Sequence, residues 1–387
     1  MGDERKTVKM LKGMLSGRDL LPILKTEDLR NVTRENWPER RAEMKRALET
    51  YSYGVTPTAP VKVWGEVMYE HPIREGYGGK VRTMEIRISM EAEDKKGKSL
   101  GVFSFPITLL LPVRYEKPPV MLHIAFRRDV PDRYVPAEEI TDRGFALAVV
   151  CYKDIVNDDL FGDFTNGLAK YFGTSKTRGE TEWGKIGMWA YGASRVLDYL
   201  LTRDDINASM TTVIGHSRLG KTALWTAAQD ERFICAVSNN SGYGGAATSK
   251  HGEGERVRDF IRCGSWDWYC ENFKRFTDEL EDSKPYDQSF LLALIAPRYL
   301  CVGSAVLDKG ADPKSEFLTS LHASSAWELL GEKGLVTPDR MPEAGDVLTE
   351  GNIEYHMREG MHALTREDWG YYMDFLEKKG IKPQRKA

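Results

Sequence analysis

The sequence of 387 residues is as long as many large α/β enzymes that fold as one unit, and its 41% of hydrophobic residues suffices for a sizeable core. Its 55 basic and 58 acidic residues leave a formal net charge of −3, which argues against a general nucleic-acid binder because phosphate neutralisation needs a basic surplus. No apolar run approaches the roughly 20 residues that cross a bilayer, so a membrane-spanning protein is excluded as well.

The first 60 residues are rich in charge, and they are predicted to wrap around the rest of the chain rather than to form a separate domain. Within them, the segment TRENWPERRAEMKRALETYSYG is typical of a helix, with Thr33 as its N-cap and Gly54 as its stop. Three later segments alternate apolar and polar residues with the period of half-exposed strands, namely residues 61–73, 81–93 and 101–113. They are predicted to form an antiparallel edge of one sheet.

From residue 119 onward the pattern changes to short, continuous apolar runs, which comprise residues 119–126, 145–152, 210–215, 233–240 and 297–305. Such runs are typical of parallel strands that are buried on both faces. Helical segments separate them, for example residues 182–201. This alternation predicts an α/β fold: one domain over residues 1–387, with a mostly parallel sheet between two helical layers and antiparallel strands at its N-terminal side.

One strand-to-helix corner in this series, GHSRLGK, carries a serine between glycines. Gly215 lies two residues before Ser217, and Gly220 lies three residues after it. A nucleophilic serine on such a corner needs small neighbours, because the turn is strained and its backbones approach closely. The usual pattern, GxSxG, would place a glycine where this chain has Leu219. The corner predicts Ser217 as a nucleophile, with a helix N-cap as its alternative role.

A serine hydroxyl becomes a strong nucleophile only when a neighbouring base accepts its proton, so the chain must also supply that base. His362 follows the last predicted strand, in a short loop before a helix that opens with the capping box Thr365 and Asp368. We predict His362 as the base. We interpret His216, at the serine corner, and His356, within the strand, as structural residues.

The acid that orients this histidine is expected after a strand that lies between the serine and the histidine in the chain. The segment PRYLCVGSAVLDKGADPKSEF offers two aspartates after such a strand, Asp308 and Asp312. Asp312 directly precedes Pro313, so capping the next helix is its simpler role. Asp308 comes directly after the end of the strand, and we predict it as the acid, with Asp312 as the alternative.

With these motifs the sequence resembles a known family, the glucuronoyl esterases among the carbohydrate esterases. The resemblance covers residues 35–375 and is carried by GHSRLGK, SNNSGYGGAATSK, DQSFLLALIAPRYL, SAVLDKGADPKSEF and EGMHALTREDW. It implies a serine hydrolase with the α/β-hydrolase fold, a three-layer αβα sandwich. It also implies an activity, the cleavage of esters between 4-O-methyl-glucuronic acid on xylan and alcohols of lignin, without a metal or other cofactor.

The resemblance also implies roles for residues around the serine. Arg218 is expected to bind the oxyanion of the tetrahedral intermediate, which is physically sensible because preorganised donors aimed at developing charge contribute strongly to catalysis. Lys221 is expected to bind the uronate sugar, and Glu255 the sugar hydroxyls, although nearby Glu253 leaves the register open. Trp268 is expected either to line the cleft or to pack against its neighbours.

The sequence departs from the family pattern at two positions. Some members carry the catalytic glutamate where this chain has Asn240, so the acid must come from Asp308 if the triad works. Relatives often show an aromatic residue where this chain has Gly310, which removes a large sugar-facing surface. Two alternatives to a glucuronoyl esterase follow: an acetyl or other small-acyl carbohydrate esterase with the same triad, or a carbohydrate-binding relative whose triad is impaired.

The remaining patterns concern metals and location. The five cysteines show no CxxC spacing, and the seven histidines form no HExxH motif, so no metal or other cofactor is predicted. The N-terminus, MGDERKTVKMLKGML, has no long apolar segment of the kind found in signal peptides. This favours a cytoplasmic protein, with secretion followed by removal of a signal as the alternative.

Overall fold

A computed structural model describes residues 4–94, 96–159 and 162–386, and its main feature is one ten-stranded sheet in the order β1-β2-β3-β6-β5-β7-β8-β9-β11-β10. A separate pair, β4 and β12, forms a small two-stranded sheet. The strands are β1 (Lys62–Glu70), β2 (Val81–Glu93), β3 (Ser99–Pro112), β4 (Tyr115–Glu116), β5 (Pro119–Ala125), β6 (Ala146–Cys151), β7 (Asn207–His216), β8 (Cys235–Asn239), β9 (Tyr299–Ala305), β10 (Val347–Leu348), β11 (Ile353–Arg358) and β12 (Gln384–Arg385).

The α-helices lie between and around these strands. They are α1 (Glu4–Ser16), α2 (Trp37–Leu48), α3 (Ala137–Asp142), α4 (Tyr152–Ile155), α5 (Gly167–Phe172), α6 (Lys185–Leu200), α7 (Arg218–Gln229), α8 (Val257–Cys263), α9 (Gln288–Ala293), α10 (Pro313–Leu330) and α11 (Arg366–Lys378). None of the described helices is both long enough and apolar enough to cross a membrane.

The sheet combines an antiparallel part with a parallel part, as the sequence predicts. Strands β1, β2 and β3 pair antiparallel with each other, and β3 pairs antiparallel with β6. The six strands from β6 to β11 in the sheet order run parallel to their neighbours. Because β7, β9 and β11 are parallel, their carboxyl ends meet at one edge of the sheet, and the loops after them lie close together.

The core lies on both faces of the parallel strands. In β5, Leu122 and Ile124 pack into the layer that contains α6, α7, α9 and α10, whereas Met121 packs into the layer that contains α3 and α11. Successive side chains of a strand point to opposite faces, so a strand between two helical layers needs apolar residues at every position. The predicted three-layer α/β arrangement is confirmed, and it explains the continuous apolar runs.

The N-terminal segment packs along the helical layers. The ring of Tyr53 stacks on Trp225 of α7 with centroids 4.5 Å apart, and Arg41 of α2 donates to the carbonyl oxygen of Ala228 over 3.0 Å. Gly54 has φ +84°, and a side chain there would lie 2.3 Å from the Cα of Trp183. These contacts fix residues 41–54 against the helical layers, and the wrapping of residues 1–60 as an extension of a single domain stays a prediction.

The predicted start of the helix in this segment is wrong. Helix α2 begins at Trp37, and its N-cap is Asn36 rather than Thr33. Pro38 has no backbone N–H, which fits the first turn of a helix, where that N–H would have no partner within the helix. The helix therefore begins beside Pro38, and the side chain of Asn36 accepts a hydrogen bond from the backbone of Thr33 over 2.7 Å.

Candidate active site

Ser217 stands at the corner between β7 and α7 in a backbone conformation that most residues avoid, with φ 58° and ψ −128°. The corner is tight, because a Cβ at Gly215 would lie 2.0 Å from the carbonyl oxygen of Leu219. A Cβ at Gly220 would lie 3.0 Å from the side chain of Ser241, so the second glycine is needed at 220. Leu219 is fully buried in the core, which explains why this position is not a glycine. The strain of such a corner, on the order of 1–3 kcal/mol, is typical of functional sites.

The side chain of Ser217 makes no capping hydrogen bond to α7, although the residue occupies the N-cap position. Its backbone N–H donates to the carbonyl oxygen of Asn239 in β8 over 2.9 Å. The corner is therefore fixed through its backbone, and the hydroxyl is not used for capping. This disfavours the alternative role of Ser217 as an N-cap.

His362 and Asp308 meet beside the serine corner. The Nδ1 atom of His362 lies 2.6 Å from Oδ2 of Asp308, and because a carboxylate can only accept, Nδ1 carries the proton. The imidazole of His362 packs against that of His216, with ring centroids 4.5 Å apart and an interplanar angle of 40°. Since His216 immediately precedes Ser217, this contact brings the three predicted triad residues to one edge of the sheet.

Asp308 is buried, yet the surrounding donors keep it ionised. Burial raises the pKa of this carboxyl, but hydrogen bonds from His362, the amide of Asn240 and the backbone N–H of Ala311 outweigh burial and lower the pKa below its usual value. The amide nitrogen of Asn240 lies 2.8 Å from Oδ2 of Asp308. Asn240 thus contacts the predicted acid and does not replace it.

Asp312, the alternative acid, caps α10. Its carboxylate accepts from the backbone N–H of Ser315 over 3.0 Å and from the backbone N–H of Glu253 over 2.7 Å. The structure therefore places Asp312 in a capping role and Asp308 against His362.

The neutral ring of His216 packs against the ring of His362. Its Nδ1 lies 2.7 Å from Oδ1 of Asn239, whose amide nitrogen donates to the hydroxyl of Tyr372 over 3.0 Å. Burial, followed by the proximity of His362, lowers the pKa of His216 to about 4. His216 therefore acts as an uncharged surface against which the imidazole of His362 packs.

His356 lies in the interior of the protein between two carboxylates. Its Nδ1 is 2.8 Å from Glu354, and its Nε2 is 2.9 Å from Asp368. Burial lowers the pKa of His356, but attraction to Glu354 and the hydrogen bond to Asp368 outweigh burial and raise the pKa to about 9. His356 is thus a buried structural cation.

This ion pairing predicts how stability depends on pH. Because the folded-state pKa of His356 lies above its ordinary value, its contribution is complete below about pH 6.5 and is lost as the pH rises through about 9. We expect the free energy of unfolding to fall over this range by an amount on the order of 3 kcal/mol. Urea unfolding at several pH values would measure it. His356→Gln should flatten the decline, whereas His251→Gln, at an exposed histidine, should keep it. An equally steep decline in His356→Gln would contradict this assignment.

Arg218 follows the serine directly, and a buried carboxylate holds its side chain. One terminal nitrogen of the guanidinium pairs with Asp158, and the group lies over the ring of Trp268 at 4.4 Å from the centroid. The same carboxylate accepts from the indole of Trp268 over 2.7 Å and from the hydroxyl of Tyr152 over 3.2 Å. The Nε atom of Arg218 is buried and has no hydrogen-bond partner among the described residues.

Asp158 was not predicted from the sequence. It follows the short helix α4, and the only signal there is a pair of neighbouring acidic residues, which is common in surface loops. Two of its partners, Arg218 and Trp268, come from distant parts of the chain, so their convergence on Asp158 is visible only in the folded structure. The arrangement holds the guanidinium of Arg218 in a fixed position against Asp158 and Trp268.

Lys221 is one helical turn after Ser217 and is almost completely buried, with 3% of its surface exposed. Its Nζ donates to the carbonyl oxygen of Ser241 over 2.5 Å and lies 3.4 Å from Glu255. Burial lowers the pKa of Lys221, and attraction to Glu255 counteracts this. An ammonium group has three donors, so these two contacts leave one N–H for a further acceptor.

The structure distinguishes the two glutamates that the sequence left open. Glu255 contacts Lys221, and 42% of its side chain is exposed. The side chain of Glu253 is 78% exposed and lies 3.6 Å from Lys314. Only Glu255 of this pair therefore belongs to the cluster around the serine.

Trp268 packs more than it lines a surface. Only 6% of it is exposed, and its ring makes edge contacts with Trp189 and Phe260 at centroid distances of 6.4 and 5.9 Å. The guanidinium of Arg218 lies over the ring of Trp268, and the indole N–H donates to Asp158, so Trp268 helps to hold the guanidinium in place. Packing therefore accounts for most of its surface.

The space beside Asp308 is open at Gly310. A Cβ at this position would have Oδ1 of Asp308, at 3.9 Å, as its nearest neighbour. The described residues contain no group of three or more histidine, cysteine, aspartate or glutamate side chains that could hold a metal ion.

A strained serine corner at the carboxyl edge of a mostly parallel sheet, with an Asp–His pair on the loops after later strands, defines the class of the α/β-hydrolases. Comparison with known proteins identifies the family. A family model described as "Glucuronyl esterase, fungi" matches residues 154–331. A carbohydrate esterase from an unknown prokaryotic organism is 31% identical over 92% of this chain and 88% of its own length.

Solved structures agree with these matches. A glucuronoyl esterase from Solibacter usitatus has a TM-score of 0.82 and 31% identity, and the match covers 92% of this chain and 97% of that one. A promiscuous esterase of carbohydrate esterase family 15, from a marine bacterial metagenome, has a TM-score of 0.80 and 30% identity, over 92% of this chain and 96% of that one. The chain belongs to the glucuronoyl esterase family, carbohydrate esterase family 15, whose members are carboxylic ester hydrolases.

Proposed function

We propose that this enzyme hydrolyses esters of glucuronic acid, including 4-O-methyl-glucuronic acid, in carbohydrate substrates such as glucuronoxylan, and that it does so through an acyl-enzyme on Ser217. The observation that carries the proposal is the 2.6 Å contact between His362 and Asp308 beside a serine whose side chain is not used for capping. The glucuronoyl esterase from Solibacter usitatus, to which the chain is similar over nearly its whole length, supports the choice of substrate.

The proposed mechanism assigns one step to each member of the triad. The Oγ of Ser217 attacks the ester carbonyl while Nε2 of His362 accepts its proton, and the same imidazolium then gives that proton to the leaving alcohol. Asp308 holds His362 in the tautomer that presents Nε2, and it stabilises the imidazolium. Water then attacks the acyl-enzyme with His362 as the base, which releases the uronic acid and restores Ser217.

Arg218 is assigned to the oxyanion. Asp158 and Trp268 fix the guanidinium, so its donors need no reorganisation when negative charge develops on the carbonyl oxygen. Preorganisation of this kind is worth about 3–4 kcal/mol for one donor. The buried Nε of Arg218, which lacks a partner among the described residues, supports this assignment.

Lys221 and Glu255 are assigned to the sugar. The third donor of the Lys221 ammonium suits a sugar oxygen, and the half-exposed carboxylate of Glu255 can accept from sugar hydroxyls. Lys221→Met removes the donor and keeps most of the volume. We expect KM for benzyl glucuronate to rise by roughly 10–100-fold, the effect of losing a hydrogen bond to a charged group. KM for an aryl acetate, which has no sugar, should stay unchanged, and an equal rise for both esters would contradict the role of Lys221.

The experiment that tests the proposed function compares hydrolysis of benzyl glucuronate with that of an aryl acetate by the intact protein. Faster turnover of the glucuronate ester supports the proposal. Turnover of the acetate alone would favour a small-acyl carbohydrate esterase with the same triad. The open space at Gly310 favours this second candidate, since no aromatic side chain is present there to stack on a sugar ring.

A third candidate is a carbohydrate-binding relative with an impaired triad. Asn240 suggests it, but the contacts of Asp308 with His362 and Asn240 count against it. A fluorophosphonate probe separates the two cases, because an impaired triad would leave Ser217 unlabelled.

A further inference from the structure

The side chain of Arg358, the last residue of β11, is buried beneath the loop that carries His362, with 3% of the residue exposed. Its Nε lies 2.9 and 3.0 Å from the two carboxylate oxygens of Asp368 in α11. A guanidinium buried with one carboxylate keeps its four terminal N–H donors for other partners. In this protein those donors point away from α11 and toward the active-site loops.

The first set of partners is the backbone of the loop that carries His362. The terminal nitrogens of Arg358 donate to the carbonyl oxygens of Glu359 over 2.8 Å, Met361 over 3.0 Å and Ala363 over 2.5 Å. Two of these carbonyls belong to the residues immediately before and after His362. Because the residues before and after His362 are held by the same nitrogen, the direction of the His362 side chain depends on this guanidinium.

Gly360 shows how closely the loop surrounds the arginine. It has φ +99°, and a Cβ there would lie 3.2 Å from a terminal nitrogen of Arg358. Glycine adopts this conformation without strain, and it also leaves room for the guanidinium. The carbonyl of Gly360 accepts from the N–H of Leu307 over 3.0 Å, which joins the loop to the segment that leads to Asp308.

The second partner is Asn240, whose side-chain oxygen lies 3.5 Å from a terminal nitrogen of Arg358. The amide nitrogen of Asn240 donates to Asp308 over 2.8 Å, and Asp308 accepts from His362 over 2.6 Å. The contacts therefore form a closed circuit, from Arg358 through Asn240 and Asp308 to His362 and back to Arg358 through the loop carbonyls.

We propose that Arg358 is a positioning residue for the proposed reaction, which fixes His362 and Asp308 relative to one another by binding both the loop of His362 and the amide that holds Asp308. The proposal rests on the proposed serine mechanism. Arginine suits this task because its planar group presents several donors in a fixed geometry, whereas the single ammonium of lysine cannot reach separated acceptors at once.

The test is the variant Arg358→Lys, which keeps the positive charge beside Asp368 but lacks the fork of donors. We expect kcat for benzyl glucuronate to fall on the order of 100-fold, the cost of misplacing a catalytic group by about 1 Å. KM should stay unchanged, because the substrate contacts assigned to Lys221 and Glu255 lie on other elements. The Nδ1 proton of His362, which the 2.6 Å contact with Asp308 should place far downfield in the NMR spectrum of the parent enzyme, should also weaken or shift.

Arg298→Lys is a matched control for the loss of an arginine that binds backbone carbonyls, although Arg298 is only partly buried. Arg298 also donates to backbone carbonyls, those of Phe233 over 2.8 Å and Ala227 over 2.8 Å, but it immediately precedes β9, at the end of that strand opposite to the active site. A merely structural role would lower the melting temperature of both variants and leave both kcat values unchanged. The proposal is overturned if Arg358→Lys keeps the kcat and the downfield proton of the parent enzyme.

A second variant decides the case in which Arg358→Lys does not fold. Asn240→Gly opens the circuit without removing a buried charge, and glycine accepts the φ of +46° at this position. We expect kcat to fall roughly 10-fold, as for one lost hydrogen bond, with KM and the melting temperature nearly unchanged. Unchanged kcat in this variant would overturn the proposed circuit.

Failure of this proposal can be distinguished from failure of the proposed function. If the parent enzyme hydrolyses neither ester, or if its turnover survives Ser217→Ala, the proposed serine mechanism itself is wrong. If turnover requires Ser217 but is insensitive to Arg358→Lys and Asn240→Gly, only the positioning role is wrong.

Discussion

Ser217→Ala is expected to lower kcat for benzyl glucuronate on the order of 10⁴–10⁶-fold, because removal of the nucleophile disables the whole triad at once. The remaining groups, including the guanidinium of Arg218, would still bind the substrate, so KM should change little. Alanine fits the corner, since the side chain of Ser217 makes no capping hydrogen bond to α7. The fall in kcat is measured by hydrolysis of the glucuronate ester, and the loss of the nucleophile is checked by labelling with a fluorophosphonate.

The matched control for this variant is Ser209→Ala on the same strand. Ser209 is exposed, and its hydroxyl donates to the side chain of Asn207 over 2.7 Å. Activity and labelling should both survive in this control. Labelling that persists in Ser217→Ala would show that another residue reacts with the probe, and the assignment of the nucleophile would then be wrong.

The architecture was predictable because it depends on local patterns. Continuous apolar runs over residues 119–126 and 145–152 predict strands buried on both faces, and the structure has β5 and β6 there. The alternating segments at residues 61–73 and 81–93 likewise become the antiparallel strands β1 and β2. The period of a run therefore indicates its secondary structure. It does not always indicate burial, because every residue of β1 is exposed or only partly buried although its sequence alternates.

The triad candidates were also accessible to sequence reasoning, because each lies in the loop or turn that follows a strand. Parallel strands bring such positions to one edge of the sheet, so Ser217, Asp308 and His362 could be selected without coordinates. The capping box of Thr365 and Asp368, which is present in the structure, marked the end of the loop that carries His362.

What the sequence did not reveal are contacts made at a distance. Asp158 binds Arg218 across 60 positions of the chain, and Arg358 approaches Asn240 across 118. Neither residue stands in a recognisable motif, and an isolated aspartate or arginine is ordinarily a solvated surface charge. Their burial and orientation depend on tertiary packing, which composition and periodicity do not determine.

The fold also explains how the chain can do without a glutamate at position 240. Asn240 adopts φ +46° after β8, and its backbone N–H donates to the carbonyl oxygen of Gly303 over 2.7 Å. Its amide is thereby directed at Asp308. Since Asp308 already contacts His362, a second carboxylate at position 240 would place two negative charges against each other, whereas an amide donor stabilises the one that is present.

Replacement of this acid, in Asp308→Asn, is expected to reduce kcat about 10⁴-fold, the effect of an orienting carboxylate that is replaced by its amide. The structure indicates why an amide cannot substitute. Asp308 accepts from His362 and Asn240 at one oxygen and from the N–H of Ala311, over 3.3 Å, at the other. An NH₂ group at the first oxygen would confront two donors and force His362 into the wrong tautomer. An NH₂ group at the second oxygen would face the backbone N–H of Ala311, which is also a donor. The neutral amide would in either case leave the imidazolium of His362 without a counter-charge.

Asp312→Asn is the control that separates the two aspartates. Asp312 has φ +54° and caps α10, and asparagine both tolerates this conformation and serves as a good N-cap. Activity should therefore remain near that of the parent enzyme. The melting temperature should fall, because the new NH₂ group faces the backbone N–H of either Ser315 or Glu253. If Asp312→Asn abolished turnover while Asp308→Asn preserved it, the carboxylate that charges His362 would have to be sought at Asp312. The hydrogen bonds of Asp312 to Ser315 and Glu253 would then have to break during catalysis, at the expense of the first turn of α10.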